Sequence, residues 1–313
     1  MKQIVLLALL FSLAGCVKII TDDLETKPPK LVLNSAISTD SALTINLSRT
    51  FNIFDDESDK NLPFIDGANV GFFENGNWLF DLENLGYGYY AKPGFYPETG
   101  KDYSVEASYK GFTSIASKTV IPPAVPILDF DTTELLVEYE YYGKETWYIG
   151  HIKYKDPAGI GNDYQLTCRI WARDGNGGKI WSDNYLWIPE TEDHLFYDNA
   201  YGNLLWNDKF SDGKEVDIRF VFFNIYDNKS SGFVESDTLG FVFSFQALNN
   251  DYYTYLKSLN IYYDTGGGED PFSEPVVIYS NIENGYGIFG GFGQDTASTR
   301  VVVNYNYQKG GRQ

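Results

Sequence analysis

The chain has 313 residues, with 24 Lys and Arg against 43 Asp and Glu, for a formal charge of −19. That balance argues against nucleic acid as a partner and against electrostatic binding to anionic lipid. Aromatic residues make up 17% of the chain, and such side chains favour pleated, half-buried surfaces, so the expected fold class is mostly β.

The chain opens with Met1-Lys2-Gln3, an apolar run over 4–10, and Leu13-Ala14-Gly15-Cys16. A short positive start, an apolar stretch of roughly 7–15 residues and small residues at the cut define a secretory signal. Residues 1–15 are therefore expected to be removed. The stretch is shorter than the about 20 apolar residues of a spanning helix. Leu13-Ala14-Gly15-Cys16 resembles the lipobox of bacterial lipoproteins, which implies that Cys16 is acylated and becomes the new N-terminus. Each buried CH₂ contributes about 0.8 kcal/mol, so one acyl chain holds weakly and several hold firmly. The alternative is an ordinary cleaved signal followed by a chance cysteine. Residues 16–29 read as a lipidated polar tether ending in Pro28-Pro29. Its acidic Asp22, Asp23 and Glu25 resemble, with looser spacing, the surface-export signal of Bacteroidota lipoproteins; a solvated tether explains them as well.

Short strand candidates follow over 31–38, 43–48, 68–74, 87–92, 103–109 and 113–120, separated by turn signals such as Glu74-Asn75-Gly76-Asn77. Short strands at regular spacing argue for a sandwich, here over 28–122. Asp66-Gly67-Ala68-Asn69-Val70, Gly86-Tyr87-Gly88-Tyr89-Tyr90 and Gly100-Lys101-Asp102-Tyr103 are similar to prealbumin-like or carboxypeptidase-regulatory-like modules, so a prealbumin-like or Ig-like sandwich is expected. Pro122, Pro123 and Pro126 cannot sit in a central strand, and 123–126 is read as a proline-rich linker.

Residues 127–313 are expected to form a second β-rich domain with one or two short helices. Strands are placed over 135–142, 147–154, 165–173, 217–225 and 300–305. Leu248, Tyr252, Leu256 and Leu259 share one helical face; Asn249 or Asn250 can cap that helix, and Asp251 suits its first turn. With Cys16 taken by lipid, Cys168 has no disulfide partner and reads as a small buried hydrophobe.

Between 168 and 183 lies the strongest local binding candidate, a hairpin centred on Asn176. That centre sets Trp171 opposite Trp181 and Arg169 opposite Asp183, with Arg169, Trp171 and Arg173 on one face. The plainer reading is a cross-strand aromatic pair that stabilises the hairpin. The functional one is a platform of Trp171 and Trp181, flanked by Arg169 and Arg173, that stacks on a sugar or another flat ligand. A one-residue slip of register would break the pairing.

Gly285, Gly287 and Gly290 satisfy G-x-G-x-x-G, but no helix follows and no βαβ unit encloses them. A tight glycine-rich connection with Tyr286, Phe289 and Phe292 packed nearby is expected instead. His151 falls in a strand pattern and His194 in a loop beside Glu190, Glu192 and Asp193; no zinc spacing supports a metal there. The acidic runs 55–59 and 264–270 do not follow the EF-hand order and read as loops. No catalytic residue, cofactor or metal is assigned.

Phe272-Ser273-Glu274-Pro275-Val276-Val277-Ile278-Tyr279, the glycine-rich run after it and 251–259 before it are similar to the C-terminal signature of the domain of unknown function 4249 family. The order of lipobox, Gly-Ala-Asn-Val, Gly-Lys-Asp-Tyr and Ile-Pro-Pro agrees. The resemblance implies a Bacteroidota lipoprotein of the outer membrane, on its periplasmic or its surface side, often encoded beside TonB-dependent receptors. The expected role is a non-enzymatic accessory that captures a ligand or docks on such a receptor. The alternatives are a structural or adhesion lipoprotein without a small ligand and, third, a carboxylate-based glycoside hydrolase.

Overall fold

The structure, a computed structural model, describes residues 28–51, 63–139, 143–159, 161–173, 178–188, 202–223, 238–265 and 276–302. The signal, Cys16 and the tether up to Lys27 lie outside the described residues, as do the centre of the hairpin, His194 with its acidic neighbours, and the run 55–59.

The chain is mostly β. Its strands are β1 (Leu31–Ile37), β2 (Thr44–Arg49), β3 (Asn69–Glu74), β4 (Asn77–Asp81), β5 (Glu83–Gly86), β6 (Tyr89–Ala91), β7 (Asp102–Ser108), β8 (Ile115–Val120), β9 (Ile127–Tyr139), β10 (Gly143–Lys155), β11 (Asp163–Arg173), β12 (Lys179–Asn184), β13 (Leu186–Trp187), β14 (Leu204–Asn207), β15 (Glu215–Phe223), β16 (Thr238–Leu248) and β17 (Tyr286–Val302). One helix stands among the described residues, α1 (Asn250–Asp264).

These strands form one nine-stranded sheet, in the order β12-β11-β16-β17-β1-β2-β6-β5 with β14 also on β11, and two four-stranded sheets, β4-β3-β7-β8 and β13-β15-β10-β9. Each small sheet closes over a different half of the long one. Strand alternation sends Leu31, Leu33 and Ile37 of β1 inward to meet Phe72 and Tyr103 in one core. Tyr154, Tyr164, Phe220, Phe243 and Phe245 fill the other. Trp206 Nε1 donates to the Tyr154 hydroxyl at 2.9 Å, so the largest rings of the second core are tied as well as packed.

The two cores divide at the prolines: Ile121 belongs to the first and Val125 to the second. The division of the chain at 123–126 nevertheless needs a correction. From 286 to 291, β17 runs parallel beside β1; from 292 to 302 it runs antiparallel beside β16. Ile282 and Phe289 are buried in the first core. The sandwich expected over 28–122 is thus completed by a segment from the far end of the chain, which covers the otherwise open edge of β1.

The glycine-rich run is therefore part of a strand and not a connection. Its composition follows from what it passes. A Cβ on Gly291 would lie 2.4 Å from the Val120 carbonyl oxygen, and one on Gly293 2.4 Å from that of Pro122. On the opposite face, a Cβ on Gly290 would meet the Tyr252 ring at 2.6 Å. Small residues are needed where β17 is squeezed between the linker and α1.

Helix α1 lies on the outer face of the long sheet, with Tyr252, Tyr253 and Leu256 packed on Leu205, Leu248 and Phe292. Its N-cap is Asn249, whose Oδ1 accepts from Tyr252 N at 3.1 Å and from Gly291 N at 3.2 Å, while its Nδ2 donates to Thr119 Oγ1 at 2.9 Å. One side chain thus stitches the helix, β17 and the first sandwich together.

Candidate functional site

At the edge of the long sheet, β11 and β12 lie side by side. Their register pairs Trp171 with Trp181, Arg169 with Asp183 and Arg173 with Lys179. These six side chains share the outer face, because Cys168, Ile170 and Ala172 fill the alternate positions and point into the core. The next strands continue the Trp row: Trp171 pairs with Gly240, and Gly240 with Arg300.

The two indoles are not equivalent. Trp171 is 5% exposed although it faces outward, and Trp181 is 40% exposed. Trp171 lies against the bare backbone of Gly240, where a Cβ would come within 2.0 Å of the ring. Lys179 Nζ stands 4.3 Å from its centroid and the Arg300 guanidinium 5.8 Å away. Trp181 stands 6.4 Å from Trp171, tilted by 58°. The Arg169 guanidinium is 5.0 Å from the Trp181 ring, and its Nε is 3.7 Å from Asp183 Oδ1. That ion pair is exposed on both sides and contributes little stability. The cation–π contacts add about 0.5–1 kcal/mol each at such exposed positions.

The surface is therefore aromatic and cationic at once. Trp171 is the buried floor, Trp181 the more exposed ring with Arg169 and Lys179 over it at 5.0 and 5.8 Å, and Arg173 and Arg300 complete the patch. Lys179, though inside the hairpin, and Arg300 were not singled out by the sequence. Arg300 reaches the site only through the pairing of β16 and β17, and a lone arginine 127 positions after Arg173 gives no local signal.

Carboxylates gather elsewhere. The loops after β10 and β14 bring oxygens of Asp156, Asp208 and Asp212 within 4.8 Å of one another. Among the described residues this is where donor atoms converge closely enough for one metal ion. The chain also supplies its own partners there. Tyr164 donates its hydroxyl to Asp156 Oδ1, Gly213 N donates to Asp156 Oδ2 at 2.8 Å, Gly161 N to Asp208 Oδ2 at 2.9 Å, and Gly159 N to Asp212 Oδ1 at 2.8 Å. The cluster ties two loops together.

Nearby, Asp163 is buried beside Asn250, whose Nδ2 donates to it at 3.2 Å; burial pushes its carboxyl up to about 6. His151 lies on the outer face of the sheet β13-β15-β10-β9 between two carboxylates, with Nδ1 3.1 Å from Asp217 and Nε2 3.8 Å from Asp129. The surrounding depression, about 280 Å³, is also lined by Asp131, Thr133 and Arg219.

A family model described as "Domain of unknown function (DUF4249)" matches residues 17–298. No match is found among curated proteins. Among solved structures, one titled "Structural basis for the promiscuous specificity of the carbohydrate-binding modules from the beta-sandwich super family" aligns at 9% identity over 64% of this chain and 93% of its own, with a TM-score of 0.16. A score that low carries no argument.

Proposed function

We propose, for a chain that belongs to the DUF4249 family over residues 17–298, a lipid-anchored accessory of the outer membrane whose folded part captures a ligand. The observation that carries this reading is the open sheet face on which Trp181 stays 40% exposed among four cations in a chain of charge −19. A soluble protein gains nothing in stability by leaving a large ring uncovered, and exposed aromatics beside cations suit recognition. Anchoring would rest on lipid at Cys16, at the end of the lipobox-like Leu13-Ala14-Gly15-Cys16.

A second reading, docking on a TonB-dependent receptor, is favoured by a separate surface. Leu85, Tyr87 and Tyr89 are exposed at or beside β5, which is an edge of the long sheet. Tyr87 holds a positive φ of 54° between Gly86 and Gly88, a backbone conformation that costs an ordinary residue about 1–3 kcal/mol. An edge strand with exposed aromatics can accept another chain.

The capture reading is tested by a thermal-shift screen of soluble glycans, peptides and small metabolites. A ligand bound only by the folded chain raises the melting temperature, and the rise should disappear in Trp181→Ala. A screen in which every rise survives that change would move the site elsewhere on the molecule.

A further inference from the structure

From the same face we infer a ligand class: an acidic saccharide, held by stacking of a sugar ring on Trp181 and by its anionic group between Arg173 and Lys179. This rests on the capture reading above.

Three observations carry it. Arg173 and Lys179 are directly opposed across β11 and β12, both exposed. Like charges in that position destabilise a strand pair unless an anion lies between them. With Arg169 and Arg300 beside them the patch has four cations, and Asp183 is its one carboxylate among the described residues. The surrounding protein is strongly acidic, so this charge is local and complementary to an anion.

The second observation is the exposed part of the Trp181 ring. Arg169 stands over it at 5.0 Å and also reaches Asp183, so a guanidinium is already positioned beside the stacking surface. A bare phosphate or sulfate would use the cations and leave the indole idle; a neutral sugar would use the indole and leave the net positive charge of the patch unmatched, since Asp183 offsets one of its four cations. An acidic sugar uses both.

Third, the same face continues toward α1 as rows of hydroxyls and amides. Thr167, Ser244 and Thr296 form one row and Gln165, Gln246 and Gln294 the next. Ser244 Oγ donates to Gln294 Oε1 at 2.6 Å and Gln246 Nε2 to Ser244 Oγ at 3.2 Å. From Arg300 to Gln294 is six residues, about 20 Å along the strand. Gln165 is buried and Thr167, Ser244, Gln246 and Gln294 are half-buried, so it is the exposed side of this strip, at Thr296 and Arg300, that a second ring of a chain would meet.

The experiment is affinity electrophoresis of the full chain, purified in detergent, through gels holding polygalacturonate, chondroitin sulfate or neutral dextran. The expected result is retardation by an acidic polymer and none by dextran. It should weaken about tenfold in Trp181→Ala, within the range that stacking on one aromatic ring supplies. It should weaken at least as much in R173Q/K179Q. The polygalacturonate and chondroitin sulfate lanes separate a carboxylate from a sulfate as the anion. Melting curves confirm that the variants fold, and Trp181→Phe should restore much of the affinity. Retardation by acidic polymer that all variants share is non-specific and overturns the inference. Trp181-dependent retardation by dextran alone overturns the acidic class and leaves ligand capture standing. No retardation by any polymer overturns the saccharide class, and capture is then decided by the thermal-shift screen.

Discussion

Gly240 lies across from Trp171, and a Cβ built there would come within 2.0 Å of Trp171 Cε2. The glycine is the seat of the ring. Gly240→Ala should lift the indole off the sheet, costing about 1–3 kcal/mol as overpacking does. Urea denaturation measures the cost, and a red-shifted Trp emission would report the displaced ring. An unchanged midpoint and spectrum would show that the indole does not rest there.

The two tryptophans should also separate in stability. Trp171 is nearly as buried as a core residue, so Trp171→Ala is expected to cost about 3–5 kcal/mol. Trp181 is 40% exposed, so Trp181→Ala should cost under about 1 kcal/mol. Equal losses in matched melting curves would mean that both rings serve only to hold the hairpin.

The seam between the cores gives a third prediction. At Gly291 and Gly293 the closest crowding atoms belong to backbone, so no side-chain movement relieves them. Gly291→Ala and Gly293→Ala should each cost about 1–3 kcal/mol, toward the upper end. Since β17 takes part in both sandwiches, the loss should appear as one earlier transition for the whole chain. Hydrogen exchange that speeds up in only one sandwich would argue against that coupling.

Much of this fold could be read from the sequence where its signals were local. Alternation gave β1, β3, β7, β8 and β11 nearly to the residue, and the i, i+4 spacing of Tyr252 and Leu256 gave α1, with Asn249 or Asn250 as its cap; the structure selects Asn249. The Trp171–Trp181 register followed from centring the hairpin on Asn176. What escaped was non-local. Five glycines between 285 and 293, at 285, 287, 290, 291 and 293, hide strand character, because the reason for the last three lies in Tyr252, Val120 and Pro122. Arg300 joined the site for the same reason, through pairings that a single sequence does not display. The edge strands β4 and β5 were too short and too exposed to alternate clearly.

Asp163 predicts a pH dependence. Burial raises its carboxyl to about 6 from 3.8, with Asp208 adding to the rise and Asn250 opposing it. Between about pH 4 and pH 6 the folded chain therefore holds a proton that the unfolded chain has released. Stability from this residue is greatest below the unfolded value and falls as pH rises toward 6, by roughly 3 kcal/mol in all. The difference in unfolding free energy between wild type and Asp163→Asn, measured from pH 4 to pH 7, should fall over that window. A flat difference would mean that Asp163 titrates alike in both states.

The two cysteines can be told apart by counting thiols. Cys168 is 1% exposed, and burial pushes its thiol up to about 12. A thiol in that state is almost wholly protonated at neutral pH and shut off from reagent, so it should not react in the folded chain. Denaturation should release it. Cys16, if acylated, offers no thiol in either state. The chain isolated from membranes should therefore give no reactive thiol when native and one in denaturant. An unacylated, unprocessed chain would give one and two. A Cys16→Ala chain should give the same counts as the acylated protein yet lose membrane retention on fractionation, because its anchor is gone while its fold is intact. One fast thiol in the native membrane-derived chain would contradict acylation at Cys16, and none in denaturant would contradict a free Cys168.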